Sequence, residues 1–338
     1  MKIKKLNKNI LYVFIAVLIS IGIFSIISNV TNNSLIDIIK NIKLKHIFIS
    51  FSIFACGYLV DALRMKIILS NFGIKTRFLD LAYNNIMGFF FTAVTPLAAG
   101  GQPYQIWHLN ESIGVDYEHG MNIMVSRFLE TMFTNFFVAI ISYNSIISSL
   151  NEGNLSAKLI KIGLITSLAV TIFILIVFIK SKIVIKIVQF LEKIKFFKKK
   201  NWSLKLEVWI VELKKSIKFL WNEKLYIMML DIFLGFVLLI IQAYALYYFV
   251  YVYNPDLSVS FWKVFGGMAL LNMVVFYIPT PGASGSTEGA YHIFLSSLTG
   301  NSKAALTAVF GWRFSSFYMQ IIFGSLLLII NNALIKRR

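Results

Sequence analysis

The sequence predicts an all-α integral membrane protein of about six full transmembrane helices plus two re-entrant half-helix hairpins, arranged as an inverted repeat. Three observations predict it. Of 338 residues, 58% are hydrophobic and 14% charged, with mean hydropathy +0.74; no soluble core needs that much apolar surface, which excludes an ordinary soluble enzyme. Six apolar stretches are each long enough to cross a hydrocarbon core, which takes about 20 helical residues. Two more are broken near their middles by Pro and Gly.

The first span is expected at 10–29. It is too long and too continuously apolar for a cleaved signal peptide, and no small-residue cleavage site follows it. Further full spans are expected at 46–70, 119–149, 160–180, 226–252 and 303–334. The broken stretches are 79–112, interrupted by TPLAAGGQP at 95–103, and 261–299, interrupted by IPTPGASGSTEG at 278–289. Each of their limbs has roughly 10 to 18 residues, short for a crossing, so each stretch is expected to dip into the membrane and return. The whole chain, 1–338, is one polytopic domain on this reading, with repeat one at 46–149 and repeat two at 226–334. Tyr12, Tyr253 and Trp262 fall near the expected boundaries and read as an interfacial belt.

The formal net charge of +18 would ordinarily raise nucleic acid as a partner. Its placement says otherwise. The first nine residues carry +4, the block 180–224 carries +9 and the last three residues +3. By the positive-inside rule these three sites lie on the cytoplasmic face of the cell membrane, together with both termini. An even number of crossings must then separate each pair of sites, which the hairpin count satisfies; counting each limb as a full span, for eight or more crossings, satisfies it too, and limb length favours the hairpins. Lys40, Lys43 and Lys45 fit less well, because this topology puts them outside. Within 181–224, Leu206, Ile210, Leu213, Ile217 and Leu220 recur at helical spacing, so part of the segment is expected to lie as an amphipathic helix on anionic lipid. Specific headgroup recognition and docking of a cytosolic partner are the other readings of this segment.

Cys56 is the one cysteine and sits in an apolar run, so no disulfide framework is possible. His46, His108, His119 and His292 are scattered, without metal-ligand spacing. No phosphate-cradling or nucleophile-elbow motif occurs. Neither a metal nor a cofactor is expected.

The two broken stretches align with each other. Thr95-Pro96 falls on Thr280-Pro281, Gln102 on Glu288, Gly114 on Gly300 and Arg127-Phe128 on Arg313-Phe314, with one residue inserted in the second. In the topology above the two units run in opposite directions. Broken helices meeting near the midplane of an inverted repeat are a common secondary-transporter architecture. Irregular backbone at that depth must be covered by protein or line water, so the tips are expected to bound a polar cavity. The residues expected to line it are Thr95, Pro96, Gly100, Gly101 and Gln102 from the first tip, and Pro281, Gly282, Gly285 and Glu288 from the second.

Ionisable residues inside apolar spans are expensive and normally pair or face water. Arg127 and Glu130, three apart on one helix face, and Arg313 in the repeat mate are such residues, as are Asp61 and Arg64. One reading makes them internal ion pairs, Arg127 with Glu130 the simplest. The other turns Arg127 and Arg313 towards the cavity, where a guanidinium fork suits a lipid phosphate. Glu288 either caps a half-helix N-terminus or takes and releases a proton.

TPLAAGGQPYQIWHL, SRFLE, YIPTPGASGSTEGA and the following WRF resemble the lysylphosphatidylglycerol synthase transmembrane region family, also called the flippase-like domain family. The resemblance covers roughly residues 10–335. It implies an integral protein that moves an anionic or aminoacylated phospholipid, or a lipid-linked substrate, between leaflets. The family's first tip usually carries Gly-Glu where this chain has Gly101-Gln102, which removes a carboxylate from that tip. The resemblance also raises phosphatidylglycerol lysyltransferase activity, in lipid modification and resistance to cationic peptides, or a membrane subunit serving a separate synthase. The family's transferase is a soluble domain, and this sequence reaches Arg338 directly after its last span, so a lipid translocase is the leading expectation and an enzyme using Glu288 as base the alternative.

Overall fold

The computed structural model describes residues 21–95, 100–150, 155–179, 224–254, 259–275 and 280–335, with a few single positions between them. Among these there is no strand. The basic segment 181–224, Pro96 and both chain ends lie outside the described residues, single positions in the segment apart.

In chain order the helices are α1 (Ile21–Val30), α2 (Leu35–Asn41), α3 (Leu44–Asn71), α4 (Phe78–Val94), α5 (Gly101–His108), α6 (Tyr117–Ile147), α7 (Leu155–Ile179), α8 (Leu225–Tyr253), α9 (Phe261–Val275), α10 (Ser286–Thr299), α11 (Ser302–Arg313) and α12 (Met319–Ile335). A π turn, Leu109–Ile113, extends α5, and another, Phe314–Tyr318, joins α11 to α12 in one rod. Among the described residues, four helices are long and apolar enough to cross a membrane: α3, α6, α8 and the rod over Ser302–Ile330. Ile21–Val30 and Phe261–Val275 are shorter apolar helices. The chain is thus an all-α, multi-pass membrane protein. Its outer surface fits that solvent: Leu63, Phe133, Ile141, Phe233 and Ile329 are large apolar side chains that face outwards.

The spine of the bundle is the antiparallel pair α3 and α8. Asn71 Oδ1 accepts from the Tyr226 hydroxyl (3.2 Å), Arg64 pairs with Asp231, the Ser50 hydroxyl donates to the Ala245 carbonyl (3.2 Å), and His46 Nδ1 meets the Tyr248 hydroxyl (2.7 Å). Each contact steps one way along α3 and the other way along α8.

The broken stretches are helix pairs whose second limb doubles back on the first. In one, α4 stops at Thr95 because the residue before a proline is pushed out of the helical region, and Thr95 is extended (φ −117°, ψ 143°). Its hydroxyl bridges the break, donating to the Phe91 carbonyl (2.6 Å) and accepting from the Gly100 N–H (2.8 Å). The limbs meet at Gly101, where a Cβ would collide with the Thr92 hydroxyl and the Gly88 carbonyl. Gln105 Nε2 then donates to Asn85 Oδ1 (2.8 Å). In the other pair the break holds one 3₁₀ turn, Pro281–Ala283, and the Tyr291 hydroxyl donates to Asn272 Oδ1 (2.9 Å). Both second limbs end on a left-handed glycine, Gly114 at φ 79° and Gly300 at φ 66°.

The limbs pack crosswise. First limb α4 lies on α12 from the other half of the chain, and first limb α9 lies on α6. Glycines permit both contacts: Gly324 faces the Phe90 side chain and Gly266 the Ser142 side chain. The largest apolar core fills the space between α8, α9, α10 and α11, around Phe249, Leu270, Phe294 and Trp312. A separate cluster, with Met65, Leu81, Ile123 and Ile227, closes the end where α3 finishes and α6 and α8 begin.

Candidate functional site

A cavity of about 250 Å³ lies where the second break, the first limb of the other pair and the α11–α12 rod converge. Its polar lining comes from several elements: Thr92 of α4, Gln242 of α8, Asn272 of α9, Thr280 and Thr287 of the break and α10, and Arg313. Phe54 and Phe89 supply apolar wall.

Arg313 is the cation of this wall and is 6% exposed. Its Nε donates to Glu288 Oε1 (2.9 Å), its Nη2 to the Gly282 carbonyl (3.1 Å), and its guanidinium lies over the Phe317 ring at 4.2 Å. Two nitrogens and one face of the guanidinium are therefore held by the protein itself. Glu288 is wholly buried behind it, and its Oε2 accepts from the Gly285 N–H (2.6 Å) at the start of α10. That carboxylate thus both caps the half-helix and orients the arginine. The π turn that begins after Arg313 splits its own faces: Ser316 and Phe317 line the cavity, whereas Phe314 and Tyr318 line an apolar groove of about 470 Å³ against α1 and α2.

Of the residues singled out from the sequence, Gly282 and Arg313 line the cavity, with Glu288 and Gly285 immediately behind. Pro281 begins the turn beside them. Thr95, Gly100 and Gly101 build the other break, where α4 also supplies Thr92 and Ala93 to the cavity. Gln102 is exposed and away from it. Register explains this: α5 begins at Gly101 and α10 at Ser286, so Gln102 is the second helical residue and Glu288 the third, about 100° apart around the axis.

Arg127 and Glu130 lie elsewhere. They belong to a buried ionic cluster with Asp61 and Arg64 of α3 and Asp231 of α8, none more than 7% exposed. Arg64 forks onto Asp231, with Nε to Oδ1 at 2.7 Å and Nη2 to Oδ2 at 3.1 Å. It also reaches Asp61 and Glu130, both at 3.4 Å. Arg127 pairs with Asp61 instead of with its own-helix neighbour Glu130. Phe54 on the cavity wall and Arg64 are ten residues apart on one helix, so the cluster sits about 15 Å along the axis from the cavity. Sequence reasoning missed Asp231, Asn272 and Gln242. Asp231 carried the usual signal, an acid inside an apolar run.

Fold and site together define a multi-pass membrane protein with a partly polar cavity, walled by an arginine, between broken helices. The sequence profile described as "Lysylphosphatidylglycerol synthase TM region" matches residues 13–324. The chain belongs to that flippase-like family, which agrees with its reading as a membrane lipid translocase. A comparison with curated proteins finds no match.

Proposed function

We propose that the cavity is the headgroup site of this lipid translocase and that Arg313 holds the phosphate of an anionic phospholipid as it moves between leaflets. The observation that carries the reading is the Arg313 guanidinium, oriented by Glu288 and Phe317 in a cavity wall shared by both broken helix pairs. A guanidinium suits a phosphodiester better than a point charge does. The cavity has room for a headgroup, while the acyl chains stay in the bilayer. The lining hydroxyl and amide groups of Thr92, Asn272 and Thr287 offer hydrogen bonds to glycerol or to an aminoacyl group.

The machine around this site is an inverted repeat, α3–α6 against α8–α12. The antiparallel α3–α8 spine, the crosswise packing of α4 on α12 and α9 on α6, and the paired caps Gly114 and Gly300 support that arrangement. The charge at the first nine residues, at 180–224 and at the last three supports a plasma-membrane protein with both termini cytoplasmic.

The test is leaflet exchange of fluorescent lipids in proteoliposomes. Anionic lipids such as phosphatidylglycerol are expected to exchange faster than in empty vesicles. Arg313→Ala is expected to slow that exchange by about tenfold or more, the scale of one lost charge-assisted hydrogen bond, while eluting as the same monodisperse species. Equal exchange with and without protein, across several headgroups, rules the reading out.

A further inference from the structure

The two buried ionic sites differ in stoichiometry. At the cavity, Arg313 faces one carboxylate, Glu288, and the charges balance. In the cluster, two guanidiniums, Arg64 and Arg127, face three carboxyls, Asp61, Glu130 and Asp231. With all three ionised the cluster carries an uncompensated negative charge, which burial away from water strongly disfavours. One proton removes it.

Geometry says where the proton sits. Asp231 takes both arms of the Arg64 fork, and Asp61 is held by Arg127 and Arg64. Glu130 has the weakest hold, a single 3.4 Å approach from Arg64. It converges with Asp231 on one nitrogen of Arg64, Nη2, at 3.4 and 3.1 Å, and two carboxyl groups crowded onto one donor repel unless one of them is neutral. Its other oxygen, Oε1, is buried and accepts no hydrogen bond among the described residues, which suits a neutral acid better than a carboxylate. The groups facing Glu130 are Arg64 from α3 and Asp231 from α8, with Arg127 one turn before it on α6 and Asp61 beyond Arg127. Helices α5, α7 and α9 also pack on α6 and bring no ionisable side chain against Glu130 among the described residues.

We propose that the Glu130–Asp231 pair is a proton-binding site that couples the membrane's proton balance to opening of the bundle at the end where α3 finishes and α6 and α8 begin. Asp231 lies six residues into α8 and Arg64 seven residues before the end of α3, so the pair is roughly 10 Å inside that end. Protonated, the cluster is neutral and ties three helices together across a buried contact. Deprotonated, it carries a net negative charge that water stabilises, so losing the proton favours parting of α3, α6 and α8 there. The coupling half of this inference rests on the translocase reading; the proton itself does not.

Infrared difference spectroscopy of the purified protein is the first measurement. The wild type is expected to show a protonated-carboxyl C=O band at neutral pH, and Glu130→Gln to lack it. If Glu130→Gln does not fold, Asp61→Asn, which balances the cluster's charge, is expected to remove the same band. Absence of the band in the wild type, or its full survival in Glu130→Gln, overturns the site. The second measurement is lipid exchange against pH in proteoliposomes. The wild-type rate is expected to rise with pH, with a limiting slope of about tenfold per pH unit for one linked proton, and the Glu130→Gln rate to be flat. Equal slopes in the two proteins overturn the coupling. If the wild type exchanges no lipid, the translocase reading falls and the infrared band still decides the proton site.

Discussion

Arg64 holds three helices through one side chain, because its fork spans Asp231 on α8, Asp61 on its own α3 and Glu130 on α6. Removing one member of a buried pair leaves the other uncompensated, which typically costs about 3–5 kcal/mol. Arg64→Leu is therefore expected to destabilise the protein by about that much, read as a lowered unfolding midpoint in detergent. Adding Asp231→Leu is expected to recover part of the loss, since both charges then go together. Equal melting of the single and double variants would show that the pair does not act as a unit. Arg64, Arg127, Asp61 and Glu130 were legible in the sequence, because a charge in an apolar run stands out, although Asp231 was passed over. Their pairing was not. Arg127 and Glu130 share a helix face, yet their observed partners, Asp61 and Arg64, come from 66 residues away on α3, and spacing along one helix carries no information about a neighbouring one.

The broken helices were the most legible elements, because Pro and Gly act through local backbone rules: Thr95 before Pro96 leaves the helix, and left-handed glycines end both second limbs. The one-residue register between Gln102 and Glu288 was less so, since alignment counts residues whereas a side chain's direction depends on where its helix starts. Close approach of the limbs supplies the prediction at this scale. Gly101→Ala puts a methyl group into Thr92 and the Gly88 carbonyl, and is expected to cost about 1–3 kcal/mol. Gly289→Ala, on α10 with open space at its Cβ position, is expected to be neutral or to stabilise by up to about 1 kcal/mol. Thermal melting in detergent separates the two; a Gly101→Ala protein as stable as Gly289→Ala would mean that the limbs part easily.

Across the whole molecule, hydropathy located the long helices, but not which of them form the spine, because lipid-facing and partner-facing sides are equally apolar. The contact between Ser50 of α3 and Ser315 of the π turn, with hydroxyl oxygens 2.8 Å apart, gives a direct check on the assembled bundle. In a Cys56→Ser background, Ser50→Cys with Ser315→Cys is expected to form a disulfide on mild oxidation. Tryptic fragments from the two halves of the chain would then migrate together until reduced. Independent migration without reductant would place α3 and the rod apart.

Both second limbs end on a left-handed glycine, whereas the two aligned arginines have different kinds of partner. Arg127 is tied to an aspartate on α3, and Arg313 to a glutamate at a helix start whose aligned mate, Gln102, carries no charge. A transport cycle in which the halves simply trade shapes, each becoming what the other was, needs each arginine to find the other's counter-ion waiting. Neither does. On the proposed translocase reading, the two end states are therefore not mirror images of one another: the half with Arg127 serves as a brace and the half with Arg313 as the hand that takes the cargo.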